Sequence, residues 1–176
     1  MLLIAVVGLA RSGKDTVAGI LAEKYGFEHL DFYRDVIVPL MKEQGLKPTK
    51  ANAASFGDQM RARFGMGVFG EKMAQKLKGK ERVVVTGARS LDELKSLEKI
   101  AQTFYIVRVE APEEQRFSRR SEREPVEREV FFSRDSGDLR KKGLGEVLRA
   151  ADFFVENTGS IAELEKKLES LMERIK

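Results

Sequence analysis

The stretch Leu2–Thr16, LLIAVVGLARSGKDT, decides the fold of this chain. It begins with six consecutive apolar residues, Leu2–Val7, and such a run is typical of a strand that is buried on both faces of a parallel sheet. After the stretch, Val17, Leu21 and Tyr25 recur every four residues, which predicts a helix with one apolar face. A short loop that contains two glycines therefore joins a buried strand to an amphipathic helix.

The loop of this unit, Gly8–Lys14, has the spacing G-x-x-x-x-G-K. Between a strand and a helix, its backbone N–H groups and the positive end of the helix converge on one concavity that suits a polyphosphate. Lys14 is then expected to contact the β- and γ-phosphates of ATP or GTP and to act in catalysis. The alternative is a plain glycine turn with an incidental lysine. We predict that the nucleotide is bound by Gly8, Ala10, Arg11, Ser12, Gly13, Lys14, Asp15 and Thr16.

The metal ligands of such loops are altered here. Asp15 occupies the position where a hydroxyl residue usually contacts the metal, and Thr86, after the predicted third strand, lies where a carboxylate is usual. The two ligand types are therefore predicted to have exchanged places. Asp15 would supply a carboxylate to Mg²⁺, and Thr16 or Thr86 would supply a hydroxyl. The alternative is that Asp15 only stabilises the helix terminus electrostatically.

The rest of the chain alternates short apolar runs with helical patterns, as expected for a parallel sheet with helices on its faces. Further strands are predicted near Phe27–Leu30, Val83–Val85, Phe104–Val109 and Phe153–Val155. Two apolar helical faces are predicted between the second and third strands, from Phe56, Met60 and Phe64 and from Phe69, Met73 and Leu77.

Helix starts are indicated by prolines and capping patterns. Pro39 and Pro112 are expected in or near the first turns of helices, where a missing N–H is tolerated. Capping boxes are predicted for Ser90 with Glu93 and for Ser160 with Glu163.

Composition limits the class of protein. With 176 residues, of which 42% are hydrophobic, we expect a single domain over residues 1–176. The 32 basic and 28 acidic residues are interspersed and leave a net charge of +4, so a nucleic-acid partner is not expected.

The chain has no cysteine and one histidine, His29, which excludes disulfides and thiolate metal sites. No apolar stretch approaches the about 18 residues of a membrane span. We expect a cytoplasmic protein, either a monomer or a small homo-oligomer.

Acidic residues follow the second predicted strand. The carboxyl end of this strand is expected on the same side of the sheet as the loop. Asp35 is the first candidate for a general base and Asp31 the second if the acceptor is a hydroxyl, whereas a phosphate acceptor needs no strong base. The alternative role of Asp31 is that of a helix N-cap.

Arginines form two groups. Arg61, Arg63 and Arg89 are candidates for binding an anionic acceptor through forked hydrogen bonds, with solvation at the surface as the alternative. The charged region after the fourth strand predicts a lid at about residues 118–143 that excludes water, with a solvated helical face as the alternative. Its candidate residues are Arg119, Arg120, Arg123, Arg128 and Arg134, of which Arg120 and Arg134 are assigned to catalysis.

Several motifs together resemble dephospho-coenzyme A kinases. They are the loop Gly8–Lys14, Tyr33–Ile37, Arg116 with Arg120, Ala151 with Asp152, and Asn157–Ser160. Thr86–Ser90, Phe131–Asp135 and Gly143 are similar to the related archaeal kinase-like proteins, and Ser12–Thr16 is similar to phage deoxynucleoside monophosphate kinases and animal phosphomevalonate kinases.

The resemblance implies a three-layer α/β/α P-loop NTPase fold like that of nucleoside monophosphate kinases. Its five-stranded parallel sheet would have the order 2-3-1-4-5, with a substrate-binding subregion at about residues 31–80. It also implies that Asp35 matches the proposed base of dephospho-coenzyme A kinases and that Asn157 and Gly159 lie near the ATP base. Thr86 departs from the acid that is common in that family.

The expected function is an ATP- and Mg²⁺-dependent phosphotransferase. Its acceptor would be a small nucleotide-like molecule, either dephospho-coenzyme A or a (deoxy)nucleoside monophosphate. The alternative is a nucleotide-binding switch or regulatory ATPase that has no small-molecule kinase activity. Arg61, Arg63 and Arg89 favour the kinase, because a switch needs no second anionic pocket.

Overall fold

The computed structural model of the chain describes residues 1–122, 124–141 and 143–175. The strands are β1 (Leu2–Val7), β2 (Glu28–Asp31), β3 (Arg82–Thr86), β4 (Thr103–Glu110) and β5 (Phe153–Glu156). The helices are α1 (Lys14–Tyr25), α2 (Val38–Glu43), α3 (Lys50–Phe64), α4 (Val68–Lys76), α5 (Leu91–Glu98), α6 (Glu113–Ser118), α7 (Arg128–Lys141), α8 (Leu144–Arg149) and α9 (Ile161–Arg174).

The five strands form one parallel sheet in the order β2-β3-β1-β4-β5, which confirms the expected topology. In the centre, Ile4 of β1 lies opposite Val84 of β3 on one side and Tyr105 of β4 on the other. All strands end at the same edge of a parallel sheet. The loop after β1 therefore lies between the loops that follow β3 and β4.

Helices cover both faces of the sheet, which explains the continuous apolar run of β1. Leu3 and Ala5 belong to a core that also contains residues of α4, α5 and α8. Ile4 and Val6 belong to the opposite core, which is shared with α1 and α9. All four side chains are completely buried. Successive residues of a strand point to opposite faces, so both faces of β1 need apolar side chains.

The two predicted capping boxes differ in the structure. Ser160 and Glu163 form the full reciprocal box at the start of α9. At α5, Ser90 accepts a hydrogen bond from the Glu93 N–H, but the Glu93 carboxylate does not return to the Ser90 N–H. It accepts from the backbone N–H of Arg89 and from the side chain of Arg61 instead. The prediction for Ser90 and Glu93 is therefore half wrong, because a distant cation binds the carboxylate.

The segment after β2 also departs from a simple helix. Pro39 lies in the first turn of α2, as predicted, but a π-helical segment, Phe32–Ile37, precedes this helix. Pro39 has no N–H to donate to the carbonyl of Asp35, so an ordinary α-helical turn cannot close at this point. The wider π-helical turn carries the chain from the end of β2 into α2.

Among the described residues, no helix combines the length and the apolar character that crossing a bilayer requires.

Candidate active site

The loop between β1 and α1 adopts a compact conformation that only glycine permits at two positions. Gly13 has a φ of 99°, and a Cβ there would lie 2.0 Å from Nδ2 of Asn157. A Cβ on Gly8 would lie 2.5 Å from the carbonyl oxygen of Val109. The loop therefore packs directly against the ends of β4 and β5. Arg11 is also left-handed, with a φ of 64°.

Two buried side chains hold the carbonyl groups of the loop. The Asn157 amide donates to the Ser12 carbonyl at 2.9 Å, and the Arg116 guanidinium donates to the Ala10 carbonyl at 3.1 Å. Arg116 is 3% exposed and also pairs with Asp135 at 2.6 Å. These two hydrogen bonds fix the orientation of two peptide groups of the loop, and inside the loop the Ser12 N–H donates to the Leu9 carbonyl at 3.1 Å.

Asn157 and Gly159, which were predicted to lie near the base of ATP, have structural roles beside the loop. Asn157, as described, contacts the backbone of the loop. Gly159 lies just before the capping box of α9, where a Cβ would come within 2.0 Å of the Glu163 carboxylate. Their contact with the ATP base stays a prediction.

Arg11 links the loop to the segment that precedes α7. Its Nε donates to Oε2 of Glu124 at 2.6 Å, and the same oxygen accepts from the Ser121 N–H at 2.9 Å. The Glu124 side chain is 4% exposed. The predicted lid region thus contacts the loop through a buried carboxylate.

A cleft of about 530 Å³ opens beside the loop, and we call it the acceptor cleft. It brings together Lys14 and Asp15 of the loop end, Asp31 after β2, and Arg61 and Arg89. The other lining residues are Ala10, Phe32, Tyr33, Ile37, Ala53, Ala54, Gly57, Asp58, Gly87, Glu93, Gly137 and Asp138. Candidate donor-binding and acceptor-binding groups therefore share one space.

Two of the three arginines predicted to bind an acceptor line this cleft, and both have acidic partners. Arg61 pairs with Glu93 at 2.9 Å and stacks on the Phe69 ring. Arg89 pairs with Asp138 of α7 at 3.4 Å. Arg63 lies outside the cleft, where its exposed guanidinium covers the Phe64 ring. Phe64 itself is 54% exposed, so it does not extend the buried apolar face that was predicted for α3.

Asp31, rather than Asp35, lines the acceptor cleft. Its Oδ1 accepts from the Arg34 N–H at 2.9 Å, which is the N-cap role considered above. Its Oδ2 accepts from the Thr86 hydroxyl at 2.8 Å. Both donors are neutral, and no Lys or Arg side chain that the structure describes forms a direct ion pair with Asp31.

The carboxylate of Asp35 is occupied by its neighbours. It accepts from the Arg34 guanidinium at 2.8 Å and from the Asp31 N–H at 2.6 Å. Burial by itself raises the pKa of Asp35, but these hydrogen bonds and the Arg34 charge outweigh burial and lower the pKa below its ordinary value. A lowered pKa weakens a general base. Its predicted role as the base stays a prediction.

The Asp35 interactions predict that the free energy of unfolding depends less on acid pH in Asp35→Asn than in the wild type. In the folded chain this carboxylate stays ionised below its ordinary pKa of 3.8, whereas the unfolded chain is already protonated there. Its stabilising contribution is therefore complete above that pKa and is lost as the pH falls through the lower folded pKa. Urea unfolding at a series of pH values should show a shallower acid decline for Asp35→Asn than for the wild type. Equal declines would contradict the assigned interactions.

Thr86 is fully buried beneath the cleft and connects Asp31 to the single histidine. Because its hydroxyl proton is donated to Asp31, Nε2 of His29, 2.9 Å from Oγ1, must carry a proton and donate. Burial and the positive charge of Arg34 lower the pKa of His29, so the ring is neutral at neutral pH. The Thr86 hydroxyl predicted for Mg²⁺ thus has two other partners.

Asp15 and Thr16 fit a magnesium ion better. Both are exposed in the first turn of α1, and Asp15 lines the cleft beside Lys14. In the described part of the chain, no three Asp, Glu or His side chains converge to hold a metal. A cation here would therefore take most of its oxygen ligands from phosphates and water, as Mg²⁺ usually does.

The lid arginines whose side chains the structure describes contact segments next to the lid rather than the acceptor cleft. Arg120 stacks on the Phe117 ring at 4.2 Å and does not line the acceptor cleft. Arg119 donates to the Asn157 carbonyl at 2.9 Å, and Arg128 pairs with Glu113 and Glu114. Arg123 and the side chain of Arg134 lie outside what the structure describes. Roles of Arg120 and Arg134 in catalysis stay predictions.

The carboxylates that neutralise the site could not be found from the sequence. Glu93 was assigned only to a cap, and Asp138 and Glu124 to no role. The Arg61–Glu93 and Arg11–Glu124 pairs join residues that are 32 and 113 positions apart. No local spacing indicates such pairs. Only the resemblance to dephospho-coenzyme A kinases indicated that Arg116 belongs to the site.

Comparisons with known proteins agree with this architecture. A family model described as an AAA domain matches residues 4–140. The UPF0200 protein of Aeropyrum pernix is 33% identical over 167 residues, which cover 93% of this chain and 88% of that protein. The crystal structure of TT1252 from Thermus thermophilus is similar with a TM-score of 0.66 and 22% identity, covering 99% of this chain and 98% of that one.

Shikimate kinase from Bacteroides thetaiotaomicron is similar with a TM-score of 0.63 and 15% identity, and the match covers 98% of both chains. At this identity the likeness concerns the fold, and the fold agrees with the sheet order and the loop described above. Sequence identity along nearly the whole chain shows the family, and the sheet order with the family model shows the fold. The chain belongs to the UPF0200 family and has the three-layer α/β/α fold of P-loop NTPases.

Proposed function

We propose that this protein transfers the γ-phosphoryl group of ATP to a small-molecule acceptor bound in the acceptor cleft. The observation that carries the proposal is the shared space of Lys14 at the end of the loop with Asp31, Arg61 and Arg89. A phosphoryl donor and its acceptor must meet in line, and such a cleft permits this.

The donor side uses the backbone of the loop and Lys14. The loop N–H groups would bind the β- and γ-phosphates, and Lys14 would spread the charge of the transferred group. Asp15 and Thr16 would hold Mg²⁺, which when bound neutralises charge on the phosphate oxygens. Arg116 and Asn157 would act indirectly, because they hold the loop carbonyls and so keep the N–H groups oriented.

On the acceptor side, an acceptor oxygen attacks the γ-phosphorus. A new P–O bond forms, the bond to the β,γ-bridging oxygen breaks, and ADP leaves. If the attacking group is a hydroxyl, its proton passes to the Asp31 carboxylate. Support for Asp31 in this role comes from its place in the cleft and its two neutral hydrogen-bond donors, in contrast to the Arg34-bound Asp35.

The candidate acceptors are dephospho-coenzyme A, which offers a hydroxyl, and (deoxy)nucleoside monophosphates, which offer a phosphate. The motif resemblance supports the first, and the loop wording Ser12–Thr16 is similar to enzymes that act on the second. The fold likeness to shikimate kinase supports a small-molecule acceptor in general. The Arg11–Glu124 contact supports a lid that shields the transferred group from water.

An acceptor screen tests the proposal directly. Purified protein is first titrated with ATP in magnesium buffer, and then incubated with γ-labelled ATP and each candidate acceptor, with products identified by mass spectrometry. We expect binding of ATP and a phosphorylated product from at least one acceptor. Tight ATP binding without product from any acceptor would favour a nucleotide-dependent switch. No affinity for any nucleoside triphosphate would refute the proposal as a whole.

A further inference from the structure

The charge of the acceptor cleft is unexpected for a phosphate-binding site. Three cations line it within the described residues, namely Lys14, Arg61 and Arg89. Five carboxylates line the same space, namely Asp15, Asp31, Asp58, Glu93 and Asp138. Lys14 is assigned to the donor phosphates by the proposed function, so Arg61 and Arg89 are the cations that the described part of the chain leaves for an acceptor.

The first of these arginines is neutralised inside the protein. The Arg61 side chain is 10% exposed and its partner Glu93 is 1% exposed. The second oxygen of Glu93 accepts from the Arg89 backbone N–H at 2.7 Å. Separating such a pair would leave a buried charge without compensation, so the Arg61 charge stays paired with Glu93, although its buried Nε has no hydrogen-bond partner among the described residues.

The second arginine is neutralised from the lid side. Arg89 is 44% exposed and pairs with Asp138, which α7 brings to the rim of the cleft. This pair is more accessible than the Arg61–Glu93 pair. An acceptor phosphate would have to compete with Asp138 for the Arg89 guanidinium and would be repelled by the Asp138 charge.

The remaining carboxylates act in the same direction. Asp15, Asp31 and Asp58 form no ion pair with any described Lys or Arg. Even with Mg²⁺ bound at Asp15, the charges of Asp31 and Asp58 would face an entering phosphate, which carries nearly two negative charges at neutral pH. A hydroxyl brings no charge, and it can donate its proton in a hydrogen bond to a carboxylate.

On the basis of the proposed function, we propose that the acceptor enters the cleft through an uncharged, hydroxyl-bearing part, and that Glu93 and Asp138 exclude acceptor phosphates by neutralising Arg61 and Arg89. Any anionic part of the acceptor then lies outside the cleft. The two carboxylates are specificity-determining residues. The attacking atom is a hydroxyl oxygen, and the product is a phosphate monoester rather than a phosphoanhydride.

Asp138→Asn tests the proposal, because it removes one charge and leaves Arg89 free to bind an anion. The protein is saturated with ADP in magnesium buffer, and AMP is then titrated by calorimetry as the phosphate-bearing probe. We expect Asp138→Asn to bind AMP about tenfold more tightly than the wild type, as expected for removal of one like charge beside a bound anion. The matched control is Asp92→Asn, which alters an exposed Asp92–Lys95 pair on α5 and should behave as the wild type.

Each outcome of this experiment is decisive. Equal AMP affinity in the wild type and Asp138→Asn, including equally undetectable binding, overturns the role of Asp138. A phosphoanhydride as the product of the wild-type enzyme, identified by ³¹P NMR in the acceptor screen, overturns the hydroxyl acceptor. Failure of the proposed function is distinguished beforehand, since a protein that does not bind ADP or ATP fails before AMP is added.

Discussion

Lys14→Ala is expected to lower the rate of phosphoryl transfer by about 100- to 1,000-fold, the usual effect of removing one preorganised electrostatic group from a transition state. Lys14 follows Gly13 at the start of α1 and points into the acceptor cleft, where the γ-phosphoryl group would lie. Its charge is needed most when the transferred group carries the most negative charge. The rate of phosphoryl transfer, measured in single-turnover assays, should therefore fall by a larger factor than the affinity for ATP, measured by titration.

The control for this variant lies on the same helix. Lys24→Ala removes a lysine from the last turn of α1, where it pairs with Glu165 of α9, far from the cleft. It should leave the rate unchanged. A Lys14→Ala enzyme that retains the wild-type rate would show that the loop does not bind the donor in the proposed manner.

Asp31→Asn is expected to lower the rate by about 100- to 10,000-fold with a hydroxyl acceptor, the range that a positioned general base contributes. The Asp31 carboxylate accepts hydrogen bonds from the Arg34 N–H and the Thr86 hydroxyl. The carbonyl oxygen of an asparagine can keep part of these hydrogen bonds, but the asparagine side chain cannot receive a proton. The substitution should therefore reduce kcat and leave the melting temperature nearly unchanged.

Asp35→Asn is the matched comparison for Asp31→Asn, because it changes a carboxylate only four residues away. If Asp31 is the base, Asp35→Asn should retain most of the rate, and its loss of stability should be full at neutral pH and should fade as the pH falls through the lowered pKa of Asp35. The reverse result, with a large loss for Asp35→Asn and little for Asp31→Asn, would restore Asp35 to the role that the family resemblance implies. The ratio of the two rates is thus more informative than either rate alone.

Much of the fold could be predicted because its signals are local. The apolar run Leu2–Val7, the helical spacing from Val17 to Tyr25 and the capping box at Ser160 are each contained within a few turns of chain. The structure confirms all three. The prediction for α5 was only half right, since its capping glutamate is bound by a side chain from α3.

Only the part of the candidate site that lies in one contiguous segment could be predicted from the sequence. The loop and Lys14 are contiguous, so their arrangement follows from the strand and the helix that flank them. Asn157 and Arg116 reach the loop from residues 145 and 106 positions away, and the sequence did not assign them to it. The specific resemblance to dephospho-coenzyme A kinases stays a prediction.

By itself, the sequence determined a parallel α/β chain with a phosphate-binding type of loop after its first strand, because hydrophobic periodicity and glycine spacing act over short distances. Only the tertiary structure decided which carboxylate faces the cleft and which arginines are already neutralised. Asp31 and Asp35 are nearly equivalent in sequence, and the Thr86 and Arg34 contacts separate them. Such contacts join residues from different strands and helices, and charge compensation depends on the distances that packing sets between them.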